Sequence, residues 1–435
     1  MNLVLFTHPE FLSQQSMPRY AKMIQDGMIK RGHTVEIWTP TSRVYKLPFG
    51  KSFKKWLGYV DQFLIFPFEV KNRLKKLPVD TLFVFTDHAL GPWVPLVKNR
   101  LQIIHCHDFL AQHSALGTVP ENRTSWTGRL YQKIIRKGYV KGRNFISVSQ
   151  NTRYDLHKFL SRVPKISEVV YNGLNQCFEC GDVYVAREHF STLINRDLSQ
   201  GYLLHIGGNN WYKNRGGVIE IYCGWRKDSK YKLPLLLVGS SPSKSLIDQR
   251  NESPYKNDIF FLNDIDDNGL KLAYHGASLF LFPSLAEGFG WPIAEAMASG
   301  CPVLTTNRAP MTEVAGTAAF LIPRMPADPG LVKDWVCKAR EVIDLVLNLD
   351  TEERNKIVSS GLINALRFNT EYALDKIENI YLEVIQGQKL KGKETSTHSK
   401  IALTPQENYK GPFVIPIILV CIFGIEMIEF SCRIF

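Results

Sequence analysis

Residues 281–306 read LFPSLAEGFGWPIAEAMASGCPVLTT. An apolar run leads into a turn with two glycines and an amphipathic segment that opens at Pro292, and a second apolar run closes the stretch. This order predicts strand, loop, helix, turn and strand. Gly288 and Gly290 can adopt positive φ and turn backbone N–H groups toward a ligand, and Pro292 stands where a first helical residue is preferred. A helix N-terminus then faces a strand end, which is a common binding site for a phosphate.

Two carboxylates flank this predicted phosphate site. Glu287 lies in the loop, and Glu295 falls about one turn into the helix, so its carboxylate can point back toward the same loop. Carboxylates would repel a diphosphate unless they bind neutral hydroxyls, and each charge-assisted hydrogen bond contributes about 1.5–3 kcal/mol. Ribose and sugar hydroxyls fit that requirement. Either feature alone is a weak signal, since Glu295 would also suit a helix surface.

The rest of the chain repeats the alternation of apolar strands and amphipathic helices that is typical of parallel sheets. A first series has expected strands at 3–7, 35–39, 81–85, 101–106, 145–149 and 168–171. The pattern fades between Asn172 and about Thr192. A second series then has expected strands at 202–206, 234–239, 258–262, 279–283 and 302–305. The helices are expected at 18–31, 213–228, 266–275, 292–299, 330–347, 351–366 and 371–386. We therefore expect an α/β protein with two doubly wound domains.

The domain boundaries follow from where these patterns stop. We place the domains at 1–187 and 188–370, with the helix at 371–386 packing back on the first domain. Residues 387–411 are polar and aperiodic, which indicates a linker. Residues 412–435 form an apolar tail, and its uninterrupted part is shorter than the roughly 20 residues of a spanning helix. A docked or disordered extension is expected, with a membrane-inserted tail as the alternative.

Composition narrows the class of protein. The 435 residues are 45% apolar and 22% charged, which excludes a mostly disordered, collagen-like or coiled-coil chain. The eight cysteines and an N-terminus without the features of a secretory leader argue against a secreted disulfide framework. We expect a cytoplasmic protein.

Basic residues are concentrated in the first third of the chain. Residues 1–160 contain 24 Lys and Arg against 10 Asp and Glu, whereas the remainder contains 29 against 31. This surplus favours anionic partners such as phosphates or an anionic membrane surface, and no recognisable module supports nucleic acid. Residues 43–76 interleave basic and aromatic side chains, which suits docking at a membrane surface. The alternative is a helix that packs its aromatics on its own sheet and leaves its lysines in water.

The pattern that begins at Glu287, EGFGxPxxEAMAxGxPV, closely resembles the Glu-x7-Glu signature of glycosyltransferase family 4. Members of that family are retaining nucleotide-sugar glycosyltransferases of GT-B fold. The resemblance covers residues 1 to about 387. It implies two Rossmann-like doubly wound parallel-sheet domains facing across a cleft, the N-terminal one binding the acceptor and the C-terminal one the nucleotide sugar. Further matches are His107-Asp108, Val148-Ser149, Thr152-Arg153, Tyr171-Asn172-Gly173, Gly207-Gly208, Lys213-Asn214-Arg215 and Glu313-Val-Ala-Gly316.

The resemblance also implies residue roles. Glu295 would bind the ribose hydroxyls, Glu287 would bind the donor-sugar hydroxyls, and Lys213 would lie against the diphosphate. His107 would line the reaction centre from the opposite domain. The candidate catalytic residues are thus His107, Glu287 and Lys213. The expected donor-binding residues are Gly207, Lys213, Arg215, Glu287, Gly288, Phe289, Gly290 and Glu295.

The sequence departs from the family pattern at two places. Many members carry an arginine directly after the glycine that matches Gly207, whereas here Gly208 and Asn209 follow, and Arg215 is the candidate replacement. Many members also have a glycine-rich loop after the first strand, and residues 13–17, SQQSM, contain no glycine. His88, after the third expected strand, could line the cleft or simply be solvated.

No metal or other cofactor is expected. Breaking the bond between the anomeric carbon and the phosphate builds negative charge on the diphosphate, which Lys213 and the loop N–H groups can stabilise. By the family's habit the departing phosphate takes the acceptor proton, so no protein base is assigned. Asp264 and Asp266 could hold a divalent cation, but they also suit a helix N-cap.

The sequence therefore predicts a metal-independent hexosyltransferase that uses a nucleotide-diphosphate sugar and a glycan or lipid-linked acceptor, with retention of configuration. The expected setting is envelope or exopolysaccharide biosynthesis, in the cytoplasm and peripheral at the inner face of the plasma membrane. A nucleotide-sugar epimerase or glycosyl phosphorylase on the same fold stays open, as does a non-catalytic GT-B partner subunit. The donor base, the sugar and the acceptor do not follow from the sequence.

Overall fold

A computed structural model describes residues 1–12, 16–48, 50–174 and 178–396. It contains twelve strands among these residues, eleven of which were expected from the sequence. The unexpected strand is β12, which has only three residues and lies at the edge of its sheet. The strands are β1 Asn2–Phe6, β2 Thr34–Trp38, β3 Leu82–Phe85, β4 Leu101–Cys106, β5 Asn144–Ser147, β6 Ile166–Val169, β7 Leu203–Ile206, β8 Leu235–Val238, β9 Ile259–Leu262, β10 Leu279–Phe282, β11 Val303–Thr306 and β12 Phe320–Ile322.

The strands form two six-stranded sheets. Their orders are β2-β1-β3-β4-β5-β6 and β12-β11-β10-β7-β8-β9. The paired strands are parallel, and in each sheet the chain goes first to one side of its starting strand and then to the other. This is the doubly wound arrangement, so the expected α/β fold class is confirmed.

Helices and short helical turns connect the strands. The α-helices are α1 Ser16–Lys30, α2 Lys51–Val60, α3 Phe66–Leu74, α4 Leu110–Ala115, α5 Trp126–Tyr139, α6 Gln150–Phe159, α7 Val183–Ile194, α8 Arg215–Asp228, α9 Lys244–Glu252, α10 Asp267–Gly276, α11 Trp291–Ala298, α12 Met311–Ala315, α13 Val332–Asn348, α14 Thr351–Ala365 and α15 Thr370–Ser396. A π-helical turn, Asp61–Ile65, joins α2 to α3. Among the residues described, no helix is both long and apolar enough to cross a membrane.

The chain forms two compact units. Among the described residues, the first comprises Met1–Ile103 and the part of α15 from Ile380 onward, and the second comprises Ile104–Asn379. The core of the first unit is aromatic: Phe6 stacks on Phe85 with 4.5 Å between ring centroids and contacts Trp93 as well.

The second unit buries both faces of its own sheet. Leu204, Leu236 and Phe280 belong to one apolar cluster, while Leu203 and Leu235, their neighbours along the strands, belong to another. Successive residues of a strand point to opposite faces, so both faces are covered by helices, as is usual for parallel sheets.

Helices α4, α5, α6, α9 and α12 were not predicted individually, and two further stretches differ from the expectation. Helix α7 lies where the apolar pattern fades. A polar residue marks its start, since Asp182 accepts hydrogen bonds from the N–H groups of Tyr184 and Val185. Helix α15 continues to Ser396 instead of ending near 386. The expected linker beyond 396 and the apolar tail at 412–435 lie outside the described residues. The boundary at 187 and 188 stays a prediction.

Candidate active site

The glycine loop, residues 283–290, connects β10 to α11. Gly290 is the N-cap of α11 and has φ +102°, a conformation that a side chain would strain. No side chain caps the helix, Pro292 has no N–H, and the N–H of Ile293 donates to the carbonyl of Gly290 at 3.0 Å. Among the described residues, the N–H of Trp291 is therefore the first-turn donor that remains for a ligand. Pro292 occupies the second helical position, one later than expected. The loop backbone is anchored where the N–H of Leu285 donates to the carbonyl of Tyr212 at 2.8 Å.

The glycine loop packs directly on the chain that leaves β4. A Cβ at Gly288 would lie only 2.1 Å from the carbonyl oxygen of His107. The hydroxyls of Ser149 and Thr152 both donate to the carbonyl of Gly288, at 2.9 and 3.2 Å. The structure therefore brings the main chain of His107 against the loop, which explains why position 288 has no side chain. The predicted role of the His107 side chain stays a prediction.

Lys213 and Glu287 form an ion pair in this loop region. The Nζ of Lys213 donates to Oε1 of Glu287 at 2.8 Å, and the side chains are 16% and 7% exposed. The ammonium also lies over the ring of Phe282, 5.0 Å from its centroid. Both side chains of this pair are thus partly withdrawn from water, and their electrostatic interaction is stronger there than at an open surface.

Tyr212 lies close enough to the carboxylates of Glu287 and Asp108 for both to affect its pKa. Burial raises its pKa to about 12, with smaller contributions in the same direction from Glu287 and Asp108. Asn210 donates to its hydroxyl at 2.7 Å and acts in the opposite direction. Tyr212 therefore stays protonated at neutral pH, and both carboxylates act on this one ring.

Glu295 has a partner that the sequence did not suggest. The hydroxyl of Tyr274 donates to its Oε2 at 2.8 Å. Burial keeps the pKa of Tyr274 well above its ordinary value, with Glu295 adding to the effect. The hydrogen bond fixes one oxygen of the Glu295 carboxylate at the start of α11.

Arg215 lies inside the second unit rather than on its surface. It is 3% exposed, and its Nη1 donates to Oδ1 of Asn209 and to the carbonyl of Ser240, at 2.6 and 2.8 Å. Its Nε and Nη2 are buried without a hydrogen-bond partner among the described residues. Burial lowers the pKa of Arg215 to about 10, so the guanidinium remains charged at neutral pH.

Gly207 lies between the side chains of His205 and Lys213. A Cβ there would lie 3.1 Å from Nε2 of His205 and 3.5 Å from Cβ of Lys213. His205 is fully buried and donates from Nδ1 to the carbonyl of Leu281 at 2.8 Å. Burial lowers the pKa of His205 to about 3, so the ring is neutral.

Phe289 contributes to packing with its side chain. Its ring makes an edge contact with Phe368 at 5.5 Å between centroids and lies near Tyr171 at 6.2 Å. Only the main chain of Phe289 is thus suited to the donor-binding role that the sequence predicted.

Glu313, a further residue of the family pattern, caps a distant helix. Its carboxylate accepts from the N–H groups of Gln150 and Asn151, at 2.7 and 2.8 Å, at the start of α6. No local sequence pattern predicts this contact, because Glu313 and the start of α6 become neighbours only through the packing of strand ends.

The Asp-x-Asp motif serves the backbone. Asp266 caps α10 by accepting from the N–H of Gly269 at 2.7 Å, and Asp264 adopts a φ of +56°. Within the described ranges, no three His, Cys, Asp or Glu side chains are placed to hold a metal ion together.

Solved structures share the fold. Anabaena HepE, crystallised with UDP and glucose, is 17% identical with a TM-score of 0.62, covering 87% of this chain and 99% of that chain. WaaG, a glycosyltransferase involved in lipopolysaccharide biosynthesis, is 15% identical with a TM-score of 0.62 and the same coverage. The two doubly wound sheets and these neighbours define a two-domain, Rossmann-like protein of GT-B fold.

Family models are more specific than the fold. "Glycosyltransferase Family 4" matches residues 17–176, and "Glycosyl transferases group 1" matches residues 187–357. Together they account for most of the chain, which therefore belongs to glycosyltransferase family 4.

Curated relatives match over part of their length. O-antigen chain mannosyltransferase B of Escherichia coli is 28% identical over 61% of this chain and 67% of its own. O-antigen chain mannosyltransferase RfbU of Salmonella typhimurium is 24% identical over 58% of this chain and 63% of its own. The match thus spans about two thirds of these relatives.

Proposed function

We propose that this protein is a retaining hexosyltransferase. It transfers a sugar from a nucleotide-diphosphate sugar to a glycan or lipid-linked acceptor in envelope or exopolysaccharide biosynthesis. Two curated relatives are O-antigen mannosyltransferases, and a structural neighbour was crystallised with UDP and glucose, which supports both the pathway and the donor class. The relatives' activity favours a mannosyl donor.

One observation carries the proposal. The Lys213–Glu287 pair, 2.8 Å apart, lies beside a glycine loop whose backbone is held by Ser149 and Thr152. A cation, a carboxylate and available N–H donors are what the leaving diphosphate and the donor-sugar hydroxyls require.

The chemistry follows from where charge develops. As the glycosidic bond to phosphate breaks, the diphosphate gains negative charge, and Lys213 exchanges part of its interaction with Glu287 for that charge. Released from full pairing, the carboxylate of Glu287 accepts hydrogen bonds from sugar hydroxyls. Preorganised donors of this kind typically contribute about 3–4 kcal/mol each to transition-state stabilisation.

Arg215 and Glu295 complete the donor site in this proposal. The buried guanidinium with unused N–H groups supplies the positive charge that many family members carry after the glycine matching Gly207. Glu295, with one oxygen held by Tyr274, binds the ribose. His107 lines the reaction centre through its side chain.

The test of the donor is a melting-temperature screen with GDP, UDP, ADP and dTDP. A ligand that binds only the folded state raises the melting temperature, and we expect one nucleotide to do so. Lys213→Met should abolish the increase, whereas Lys227→Met, on the exposed end of α8, should not. If no nucleotide at millimolar concentration stabilises the wild-type protein, the donor site is wrong.

A product assay tests the reaction itself. Incubation with GDP-mannose and with UDP-glucose, followed by NMR of the products, distinguishes transfer or hydrolysis from epimerisation. A phosphorylase would require inorganic phosphate. The anomeric signal of a glycoside product reports retention directly, and undiminished activity in EDTA is expected for a metal-independent enzyme.

We also propose that the first unit docks at an anionic membrane surface on the cytoplasmic face. Phe53 and Phe68 are 54% and 66% exposed, and Lys55 and Lys71 beside them are exposed as well. Not every residue of this segment is available for docking. Lys54 donates to the carbonyls of Tyr45 and Leu47, at 2.7 and 3.1 Å.

A further inference from the structure

The first unit contains a cluster of two histidines and one aspartate, His8, Asp87 and His88. His8 follows β1, and Asp87 and His88 follow β3. Nε2 of His8 lies 2.8 Å from Oδ2 of Asp87, and Nδ1 of His88 lies 2.9 Å from its Oδ1. The side chains are 9%, 10% and 9% exposed in that order, so the expectation of a merely solvated His88 is wrong.

The cluster stands where this sheet changes direction. From β1 the chain goes to β2 on one side, and it returns to add β3 on the other side of β1. Doubly wound sheets bind ligands at this point, outside the carboxyl ends of the two strands, because the connections diverge there and leave a crevice. His8 and Asp87 lie just beyond those two ends.

The charge of the cluster is set by Asp87. Burial alone would raise the pKa of this carboxyl, but His88 and the hydrogen bond from His8 outweigh it and hold the pKa well below its ordinary value. Asp87 also accepts from the N–H of Ala89 at 3.1 Å. It is therefore an ionised acceptor, and Nε2 of His8 must carry the hydrogen of their bond.

That hydrogen bond selects one tautomer of His8. In the tautomer whose proton is on Nε2, the ring has a lone pair on Nδ1, as in carboxylate–histidine pairs that orient a ring for a substrate. No described residue bonds to Nδ1 of His8. A role confined to joining β1 and β3 would use Nε2 and Asp87 alone, whereas Nδ1 is not among the buried polar atoms and can accept from a ligand.

We propose that His8 binds a hydroxyl group of the acceptor sugar through Nδ1 and that Asp87 is its positioning residue. The proposal rests on the proposed glycosyltransferase function and adds the location of an acceptor contact. A hydroxyl suits the site because it donates to the ring lone pair. A phosphate does not, because the ionised Asp87 next to the ring repels an anion.

NMR of the full chain with ¹⁵N-labelled histidine tests this directly. The resonances of His8 are assigned by their loss in His8→Gln, and the probes are the methyl glycosides of mannose, glucose, galactose and N-acetylglucosamine. We expect at least one glycoside to move the Nδ1 resonance of His8 saturably. The Gln side chain retains a donor toward Asp87 but lacks the ring lone pair, so it should weaken that glycoside about tenfold, the loss typical of one hydrogen bond.

Asp87→Asn separates positioning from folding. The amide can still bond to Nε2, but as a donor it stabilises the other tautomer and places the proton on Nδ1. We expect glycoside binding to fall as in His8→Gln, and the melting temperature to fall as well, since the charge of Asp87 stabilises the fold. The ¹⁵N resonances of His8, which report the tautomer, separate the loss of positioning from that loss of stability. The exposed His157, changed to Gln, is the matched control and should bind as wild type.

Two results would overturn the proposal. One is the absence of a glycoside effect on His8, seen either as unchanged glycoside binding in His8→Gln or as no glycoside that shifts the Nδ1 resonance. The other is a larger shift with inorganic phosphate than with any glycoside. The same samples receive the nucleotide screen. Nucleotide stabilisation without a glycoside effect sinks only the His8 site, whereas loss of both also sinks the proposed function.

Discussion

Lys213 and Glu287 neutralise each other at low exposure, so changing one leaves the other charge without its partner. Lys213→Met should destabilise the protein by about 1–3 kcal/mol, and Lys213→Met with Glu287→Gln should recover much of that loss. The same Lys213→Met should lower kcat by about 10²–10³, as for removal of one transition-state donor. Urea unfolding and steady-state kinetics measure the two effects, with Lys227→Met as control. Equal stability of the single and double variants would show that the pair is not coupled.

Arg215 is a buried cation without a carboxylate partner among the described residues. Such a charge is stabilised by an arriving anion. Arg215→Lys keeps the charge but loses the planar set of guanidinium N–H donors, so we expect it to reduce the nucleotide-dependent rise in melting temperature. Arg250→Lys is the matched control, since its guanidinium lies over the same ring, Phe261, but bonds to Asn251. An undiminished nucleotide effect in Arg215→Lys would remove Arg215 from the donor site.

At the scale of elements, the connection between β10 and α11 depends on two glycines for different reasons. Gly288 lacks space, since a Cβ would meet the carbonyl of His107, whereas Gly290 has space but a positive φ. We expect Gly288→Ala to cost about 1–3 kcal/mol of stability and most of the activity, because the loop must move off β4. Gly290→Ala should cost about 1–2 kcal/mol through backbone strain.

Gly50→Ala is the control for both glycine variants, since no described residue beyond its chain neighbours has an atom within 4 Å of its Cβ position and its φ is negative. Thermal unfolding measures the loss of stability and steady-state turnover measures the loss of activity, both on the same preparations. A fully active Gly288→Ala would mean that the contact with His107 does not position the loop.

Strands β4 and β7 each bury a histidine that is neutral in the folded protein. Burial lowers the pKa values of His105 and His205 to about 3. The unfolded chain binds a proton near pH 6.5 that the folded protein rejects, so the free energy of unfolding falls as pH decreases below 6.5, by about 1.4 kcal/mol per unit and per histidine.

We therefore expect His205→Asn to remove about 2 kcal/mol of the stability loss between pH 6.5 and pH 5, since its amide still donates to Leu281. Urea unfolding at several pH values measures the slope. His157→Gln, at an exposed site, should leave the slope unchanged, and an unchanged slope in His205→Asn would contradict the buried neutral ring.

At the scale of the whole molecule, the basic surplus of residues 1–160 predicts salt-dependent binding to vesicles that contain phosphatidylglycerol. Binding should weaken steeply between about 0.05 and 0.5 M salt, because screening shortens the range of attraction. Phe53→Ser with Phe68→Ser should weaken it roughly tenfold by removing apolar anchors. The control is Val163→Ser, at a position that is 92% exposed in the second unit. Co-sedimentation that is insensitive to both phenylalanines would exclude docking through this segment.

Most of the fold could be predicted from the sequence, because strands and helices follow patterns that repeat within a few residues. Eleven of the twelve described strands come from apolar runs of this kind. Strand β12 and the helices α4, α5, α6, α7, α9 and α12 were not predicted individually. Strand β12 has only three residues at a sheet edge, and α7 begins with a polar cap. The candidate site residues could also be predicted. The glycines and carboxylates follow from the pattern of residues 281–306, and Lys213 follows from the resemblance to the family pattern.

By itself, the sequence determined the α/β class, the order of the elements and the chemistry available at residues 281–306. Only the tertiary structure decided the partners. It joined Glu287 to Lys213, pressed Gly288 against His107, buried Arg215 and placed His8 beside Asp87. The physical reason is that local patterns depend on neighbours within one helical turn or strand. Contacts between residues far apart depend on which strand ends the packed sheets bring together, and no short-range pattern records that.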